Sequence, residues 1–430
     1  MLRLPLYARV LIGVALGTFC GLAFGEGTIL FGLTNKHLGD AGLLVIRLLR
    51  AMAVPLIFFA VVDAFVRTEI SGKQGLKLVA ICAFNVSVAF LIGMTLINTF
   101  RPGEAWKDRL ADIEATAGGP ARKAPEGLSL DPMKNLSGYV PANLVDPFQK
   151  DNGNVISVVF LAIMIGVSMR RLIARQGRDS SVARLADLAE GGFDTLVTIL
   201  GMIVEAIPFA VFGVLAQVIG RDGTKVFGEL SVYVVAMVSG LSLHALGYYT
   251  LAAWLIGRRA PRVYFGEGAP AIFAGMSMNS SLATVPLTLE SLKRMKISDA
   301  SARLSACVGT NLNNDGIVLY DAMAALFLSQ ALGYDLTFSQ QAVVALASLM
   351  AGIGISGVPD AGLIVLPLVL STVGLPEAVI VGVIPVLFSV DWLIGRVRSG
   401  VNVMSDMLVA ILLDRSPAEP SASGGAERAA

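Results

Sequence analysis

Long apolar runs alternate with short polar stretches through the first 255 residues, and then the pattern changes. An apolar run of about 20 residues is long enough to cross a bilayer as a helix. Six runs approach or exceed that length, over residues 7–24, 43–65, 78–100, 155–169, 195–219 and 231–255. The second holds Pro55, which a membrane helix accommodates as a kink. A turn around Asn35, Lys36 and His37 is expected between the first two runs, and a basic loop over 67–77 follows the second. Residues 101–151 are polar, with Gly118, Gly119 and Pro120 among mixed charges, and predict a solvent-exposed, mobile loop.

After residue 260 four apolar segments are each interrupted by polar residues. Residues 264–292 are broken by SMNSSLATVP (277–286), 295–332 by NLNNDG (311–316), and 342–373 by GIGISGVPDAG (352–362). The fourth is DWLIGRVRSGVNVMSD (391–406), whose polar residues form a stripe when placed on a helix. At about 100° per residue, Asp391, Gly395, Arg398, Asn402 and Asp406 fall within about 60° of one another, and Arg396 points away. Such a stripe must face protein or water rather than lipid. Non-helical backbone at membrane depth is allowed only where it lines a cavity or is buried in protein. Each break alone also reads as an ordinary turn between helices. Their occurrence together in the last third of the chain points to one site.

Composition sharpens the class. The 430 residues are 55% hydrophobic and 15% charged, against about 25% charged in soluble domains. This is the composition of a polytopic all-α membrane protein. A net charge of +1 gives no case for nucleic acid. Cys20, Cys82 and Cys307 lie in or beside apolar segments without metal-ligand spacing, and two histidines, His37 and His244, argue against a histidine-based metal or catalytic centre. Arg3 and Arg9 precede the first run as in a signal peptide, but no small-residue cleavage site follows, so that run is expected to remain as a helix. Basic residues cluster at 67–77, at Arg170, Arg171, Arg175, Arg178 and Arg184, and at Arg258, Arg259 and Arg262. The positive-inside rule puts all three clusters and both termini in the cytoplasm and the 101–151 loop outside. The 416–430 tail, rich in Ser, Ala, Gly and Pro, is expected to be disordered.

The breaks carry their own chemistry. Serine hydroxyls and free N–H groups at half-helix N-termini suit a carboxylate. Unwound carbonyls, with side-chain oxygens of Asn313, Asp315, Asn402 and Asp406, suit a hard alkali cation rather than a transition metal. Arg398 also has a structural reading, an ion pair with Asp391.

These motifs, in this order, resemble the dicarboxylate/amino acid:cation symporter family, which includes the excitatory glutamate transporters. NSSLATVP (279–286) resembles the family's serine-rich first hairpin. NNDGI (313–317) resembles N-M-D-G-T, SGVP (356–359) resembles A-G-[IV]-P, and DWLIGRVRSGVNVMSD resembles D-W-x-x-D-R-x-R-T-x-V-N-V-x-G-D. The likeness runs over about residues 4–413. It implies eight transmembrane helices, two re-entrant helical hairpins, a homotrimer in the plasma (inner) membrane, and an elevator mechanism. Residues 1–225 would be mainly scaffold (helices 1, 2, 4 and 5), with helix 3 at 78–100 belonging to a transport domain completed by 226–415. By matching position, Arg398, Asn402, Ser280, Ser281, Gly395, Ser399, Gly357 and Val358 would face the substrate. Gly309, Asn313, Asn402 and Asp406 would form one sodium site, Asp315 with Asn313 another, and backbone at Gly352, Ile353 and Ile355 a third.

The departures from the family pattern carry the substrate argument. Gly395 stands where amino-acid carriers keep the aspartate that pairs with the substrate ammonium. Asn314 replaces a methionine, Ile317 a threonine, and Asn85 and Val86 a Thr-Ser pair on helix 3. An ammonium buried without an anionic partner keeps a large desolvation cost. The expected cargo is therefore a C4-dicarboxylate-like anion carried with sodium. Acidic amino-acid symport and proton coupling are the alternatives, because the changes near Asn314 and on helix 3 touch a sodium site. A channel is a reading from another class. A membrane enzyme has no His, Cys or Ser–base constellation to support it.

Overall fold

The computed structural model describes residues 4, 6–67, 72–108, 110, 143–149, 155–353, 361–372, 374–375 and 377–414. Most of the expected outer loop, the tail, and the tip of the third break with Ile355, Gly357 and Val358 lie outside these residues. The described chain is almost wholly helical. Helix α1 (Leu6–Phe24) leads into a small hairpin of β1 (Thr28–Leu30) and β2 (Leu33–Thr34), then α2 (Asn35–Arg67) and α3 (Gly72–Phe100). After the short α4 (Asp146–Gln149) come α5 (Val155–Gln176), α6 (Ser181–Val204) and α7 (Ile207–Asp222). Helix α8 (Lys225–Ser242) continues into two π-helical turns, Leu243–Tyr249 and Ala252–Ile256. Then follow α9 (Pro261–Met278), α10 (Val285–Arg294), α11 (Asp299–Arg303), α12 (Asp315–Ala331), α13 (Phe338–Ile353), α14 (Ala361–Thr372) and α15 (Glu377–Leu413).

Several helices are longer than their apolar runs. The chain reverses at the β1–β2 hairpin, through Gly25 and Gly32 at positive φ, and not at Asn35–His37. Asn35 instead starts α2, its buried amide donating to the Gly25 and Cys20 carbonyls at 2.7 and 3.4 Å. Arg170, Arg171 and Arg175 sit on α5, and the turn falls after them at Gly177 (φ +87°). The run over 195–219 is not one straight helix. It is bent by 43° between α6 and α7, where Pro208 opens α7. A proline in the first turn loses no intrahelical hydrogen bond, so it marks a start there.

Among the described residues, three helices are long and apolar enough to cross a bilayer, and the bent α6–α7 pair makes a fourth. Helix α15, the longest of the described helices, is not among these and bears the polar stripe. Helices α1, α2, α5, α6 and α7 pack on one another. Gly13, Gly17 and Gly21 form one small-residue face of α1, where a Cβ would sit 2.5, 2.6 and 2.8 Å from atoms of α7. This four-residue spacing of small residues lets backbones approach closely in a membrane. The remaining long helices, α3 and α8–α15, gather around α12 and α15. Every residue of α12 is buried, as is all of α15 from Arg398 to Leu413. The polar stripe therefore faces protein.

Candidate functional site

The site begins with how α15 is held. Gly316 presses the start of α12 against it. A Cβ there would lie 2.6 Å from the Arg398 carbonyl, and the Gly316 N–H donates to Asn402 Oδ1 at 2.8 Å. Tyr264 of α9 donates to the Met404 carbonyl at 2.6 Å, and Ser305 Oγ donates to the Asp406 carbonyl at 2.6 Å. Arg396, off the stripe, donates to the Met276 and Ser277 carbonyls at 3.0 and 2.7 Å, which ties the end of α9 to α15.

Arg398 is 2% exposed. Its Nη1 lies 3.6 Å from Asp391 Oδ1, and its guanidinium stands 4.8 Å over the Tyr320 ring. A Cβ on Gly362 of α14 would overlap that guanidinium, so the start of α14 packs directly against it. Both oxygens of Asp321, which is fully buried on α12, have no hydrogen-bond donor among the described residues. A Tyr233–Tyr320 hydroxyl pair at 3.1 Å backs this region.

The first break brings its tip to the same place. Asn279 ends α9 in the left-handed conformation (φ 51°, ψ 35°), which asparagine adopts more readily than most residues. Ser280 and Ser281 follow, both buried. Ser280 Oγ accepts the Ala283 N–H at 3.2 Å, and Ser399 Oγ donates to Asn279 Oδ1 at 3.1 Å. A Cβ built on Gly395 would lie 3.2 Å from Asn279 Oδ1, 3.3 Å from Asp391 Oδ2 and 3.4 Å from Arg398 Nη2. Gly395, Arg398, Ser399 and the turn after α9 are thus brought together.

A second cluster lies beside it. Asn313 Nδ2 donates to Asp406 Oδ1 at 3.4 Å, and Asn314 Nδ2 to the Gly352 carbonyl at 3.3 Å. Asp315 Oδ2 accepts from Tyr249 and Ser405 hydroxyls, each at 2.8 Å, with His244 Nε2 at 3.5 Å. Asn313 Oδ1, Asn314 Oδ1 and Asp315 Oδ1 are buried with no hydrogen-bond donor among the described residues. Three consecutive side-chain oxygens without donors are the donor set a hard cation takes. Gly309 lies in a tight turn before them, its Cβ position 3.0 Å from Leu78. Gly352 contributes its carbonyl, and Ile353 closes α13.

His244, Tyr249, Ser405, Asn279 and Asp321 were not singled out by the motif reading. His244 and Tyr249 sit in a π-helical turn, which re-aims side chains and favours functional sites. A histidine inside an apolar run was the available signal. Of the helix 3 departures, Asn85 is fully buried and accepts from Tyr248 Oη at 2.6 Å, so α3 reaches the same cluster, while Val86 packs as an apolar residue.

The sequence profile of the sodium:dicarboxylate symporter family matches residues 6–416. The chain is 26% identical over 444 residues to excitatory amino acid transporter 3 of Mus musculus, covering 91% of this chain and 82% of that one. It is 27% identical over 469 residues to excitatory amino acid transporter 1 of Ambystoma tigrinum, covering 97% and 84%. A third relative, excitatory amino acid transporter 5 of Homo sapiens, is 27% identical over 436 residues, covering 86% and 74%.

Proposed function

The chain belongs to the sodium:dicarboxylate symporter family, and on that premise we propose that it carries a C4-dicarboxylate-like anion into the cell together with sodium. It is a multi-pass membrane transporter and not an enzyme. The observation that carries the substrate reading is the pairing of Arg398 with Gly395. A buried guanidinium is the group that suits a carboxylate, while the position beside it on the same helix face brings no carboxylate for an ammonium. The serine tip at Ser280 and Ser281 offers hydroxyl and N–H donors to the second carboxylate.

Electrostatics supports cation coupling. Among the described residues, four buried carboxylates, Asp315, Asp321, Asp391 and Asp406, stand against the buried guanidinium of Arg398. A dianionic substrate adds to that imbalance, and each buried charge costs about 3 kcal/mol even on the mildest insertion scale. Sodium ions entering with the substrate offset it. The oxygens of Asn313, Asn402 and Asp406, with backbone at Gly309, form the first proposed cation site. Asp315 and Asn313 form a second, and backbone around Gly352 to Ile355 a third. The departures from the family pattern at Asn314, Ile317, Asn85 and Val86 leave protons as the alternative coupling ion.

The proposed working arrangement is a homotrimer in the plasma membrane with both termini cytoplasmic. Helices α1, α2, α5, α6 and α7 would form the static scaffold. Helices α3 and α8 through α15 would travel with the substrate, with α9–α10 and α13–α14 as the two re-entrant hairpins and α13–α14 as the gate. Acidic amino-acid symport is the second reading. It is favoured by Asp391 Oδ2 beside Gly395 and by the relatives that are excitatory amino acid transporters. Counterflow in proteoliposomes tests the carrier reading. Internal unlabelled succinate should drive uptake of labelled succinate, and Arg398→Ala should abolish it. Succinate flux without counterflow would instead mean a channel.

A further inference from the structure

Helix α1 runs beside α7 in the same direction, with Gly13 against Pro208, Gly17 against Phe212 and Gly21 against Ala216. Helix α6 does not extend that contact, because it leaves the line of α7 by 43° at Glu205 and Ala206. The divergence opens a groove of about 570 Å³ between the start of α1 and the bend. Its walls are the apolar side chains of Ile12, Leu16, Met202, Phe209 and Phe212. Leu16, Met202 and Phe209 are exposed, so the groove opens to the outside of the helix bundle.

One charged pair stands among these walls. Arg9 and Glu205 both line the groove, and the guanidinium meets the carboxylate through both Nη atoms, Nη2 donating to Oε1 at 3.0 Å. Neither group is used up. A guanidinium has five N–H donors and a carboxylate about four lone-pair sites. Arg9 Nε has no acceptor among the described residues, and the Glu205 side chain is 55% exposed. The groove therefore offers a cation and an anion side by side at the α1 N-terminal end of an apolar wall. From Arg9 to Leu16 α1 rises about 10 Å, which fits within the roughly 15 Å of hydrocarbon in one leaflet. With the N-terminus cytoplasmic, as proposed above, that leaflet is the inner one.

We propose that this groove is a phospholipid site selective for an ethanolamine headgroup, with the phosphate on Arg9, the ammonium on Glu205 and one acyl chain along Ile12, Leu16, Phe209 and Phe212. The chain satisfies apolar walls that face lipid and not water. The phosphate takes charge-assisted hydrogen bonds from the guanidinium. A purely anionic headgroup would set a negative charge beside Glu205 with no cation to offset it. A choline ammonium has no N–H to donate, whereas a primary ammonium has three. The paired charges on the protein thus match the paired charges of the headgroup.

The test is lipid retention by the full-length protein. The purified protein is relipidated with equal amounts of phosphatidylethanolamine, phosphatidylcholine and phosphatidylglycerol of matched chains and washed in detergent. Retained lipid per chain is then counted by mass spectrometry. Wild type should keep phosphatidylethanolamine over each of the others by about tenfold, the worth of one charge-assisted hydrogen bond. Glu205→Gln still accepts from Arg9 but loses the anion, and should lower the ethanolamine-to-glycerol ratio about tenfold. Arg9→Gln should lower retention of all three lipids. Ala206→Phe and Leu16→Trp fill the groove from two sides and should bring retention to background. Leu16 is exposed, so Leu16→Trp keeps the test decisive where Ala206→Phe fails to fold. Equal retention of the three headgroups by wild type, or wild-type retention in Leu16→Trp, overturns the proposal. So does a disulfide-linked dimer formed by Phe209→Cys and not by wild type, which would place a second copy of this chain in the groove. The readout is lipid and not uptake, so the result is independent of the cargo.

Discussion

Replacing Gly316 with alanine should separate the two helices that build the site. The added methyl would lie 2.6 Å from the Arg398 carbonyl, 2.8 Å from Asn402 Oδ1 and 3.2 Å from Arg398 Cγ. The first neighbour is backbone in the buried stretch of α15, so α12 and α15 must shift apart by several tenths of an ångström. Overpacking of this kind costs about 1–3 kcal/mol. The same shift weakens the 2.8 Å bond from Gly316 N–H to Asn402 Oδ1, and an unsatisfied buried pair adds about 1 kcal/mol. If the whole cost falls on the ligand-bound state, the loss is about 2–4 kcal/mol, or about 30- to 700-fold in affinity. Calorimetric titration of the purified protein with substrate at saturating sodium reads the affinity, and thermal unfolding of the same sample reads any part lost to stability. Gly228→Ala is the control, since a Cβ there meets nothing within 4 Å and Gly228 is exposed on α8. It should be neutral or stabilising by up to about 1 kcal/mol. Affinity within twofold of wild type and an unchanged Tm in Gly316→Ala would refute the tight α12–α15 contact on which the site depends.

Three further outcomes follow from the same geometry. Asp406→Asn should weaken sodium binding by about tenfold or more, with a smaller change in substrate affinity at saturating sodium; matched sodium titrations of wild type and variant check this. Gly395→Asp should raise the aspartate-to-succinate uptake ratio by about tenfold or more, because it restores an anion beside the substrate, and an unchanged ratio would contradict the placement of that position. Arg101 bonds Glu104 and also pairs with Asp335, all three exposed, so Arg101→Ala should cost less than about 1 kcal/mol. Arg101 holds both carboxyls below their usual range. The small stabilisation they give should therefore be present through neutral pH, falling away only as pH drops below that range, as a pH series of Tm on wild type and variant would show.

The parts of the site that lay within one segment were legible in the sequence. The α15 stripe needed only the helical period, and Asp391, Gly395, Arg398 and Asn402 share a face as that period requires. The breaks at 279–281 and 312–314 were legible because serine, asparagine and glycine interrupt apolar runs. Helix ends were less so, since α2, α3 and α6 continue into polar turns where hydropathy gives no signal. The α6–α7 bend was hidden inside a mostly apolar run, marked only by Glu205 and Pro208. Least legible were contributions from distant segments. His244 and Tyr249 reach Asp315 from α8 through a π-helical turn, which no regular period predicts. Asn85 reaches the same cluster from α3. Asn279 was visible only as part of a serine-rich motif, and its bond from Ser399 depends on a backbone conformation.

The central claim, sodium-coupled carriage of a C4 diacid, is tested most directly by an uptake panel in proteoliposomes. Labelled succinate, malate, fumarate, aspartate and glutamate are each offered with an inward sodium gradient and with that gradient replaced by potassium. The account predicts concentrative uptake of at least one C4 dicarboxylate with sodium and none without it. Uptake confined to amino acids would contradict the substrate assignment, and uptake driven equally well by a pH gradient without sodium would contradict the coupling ion.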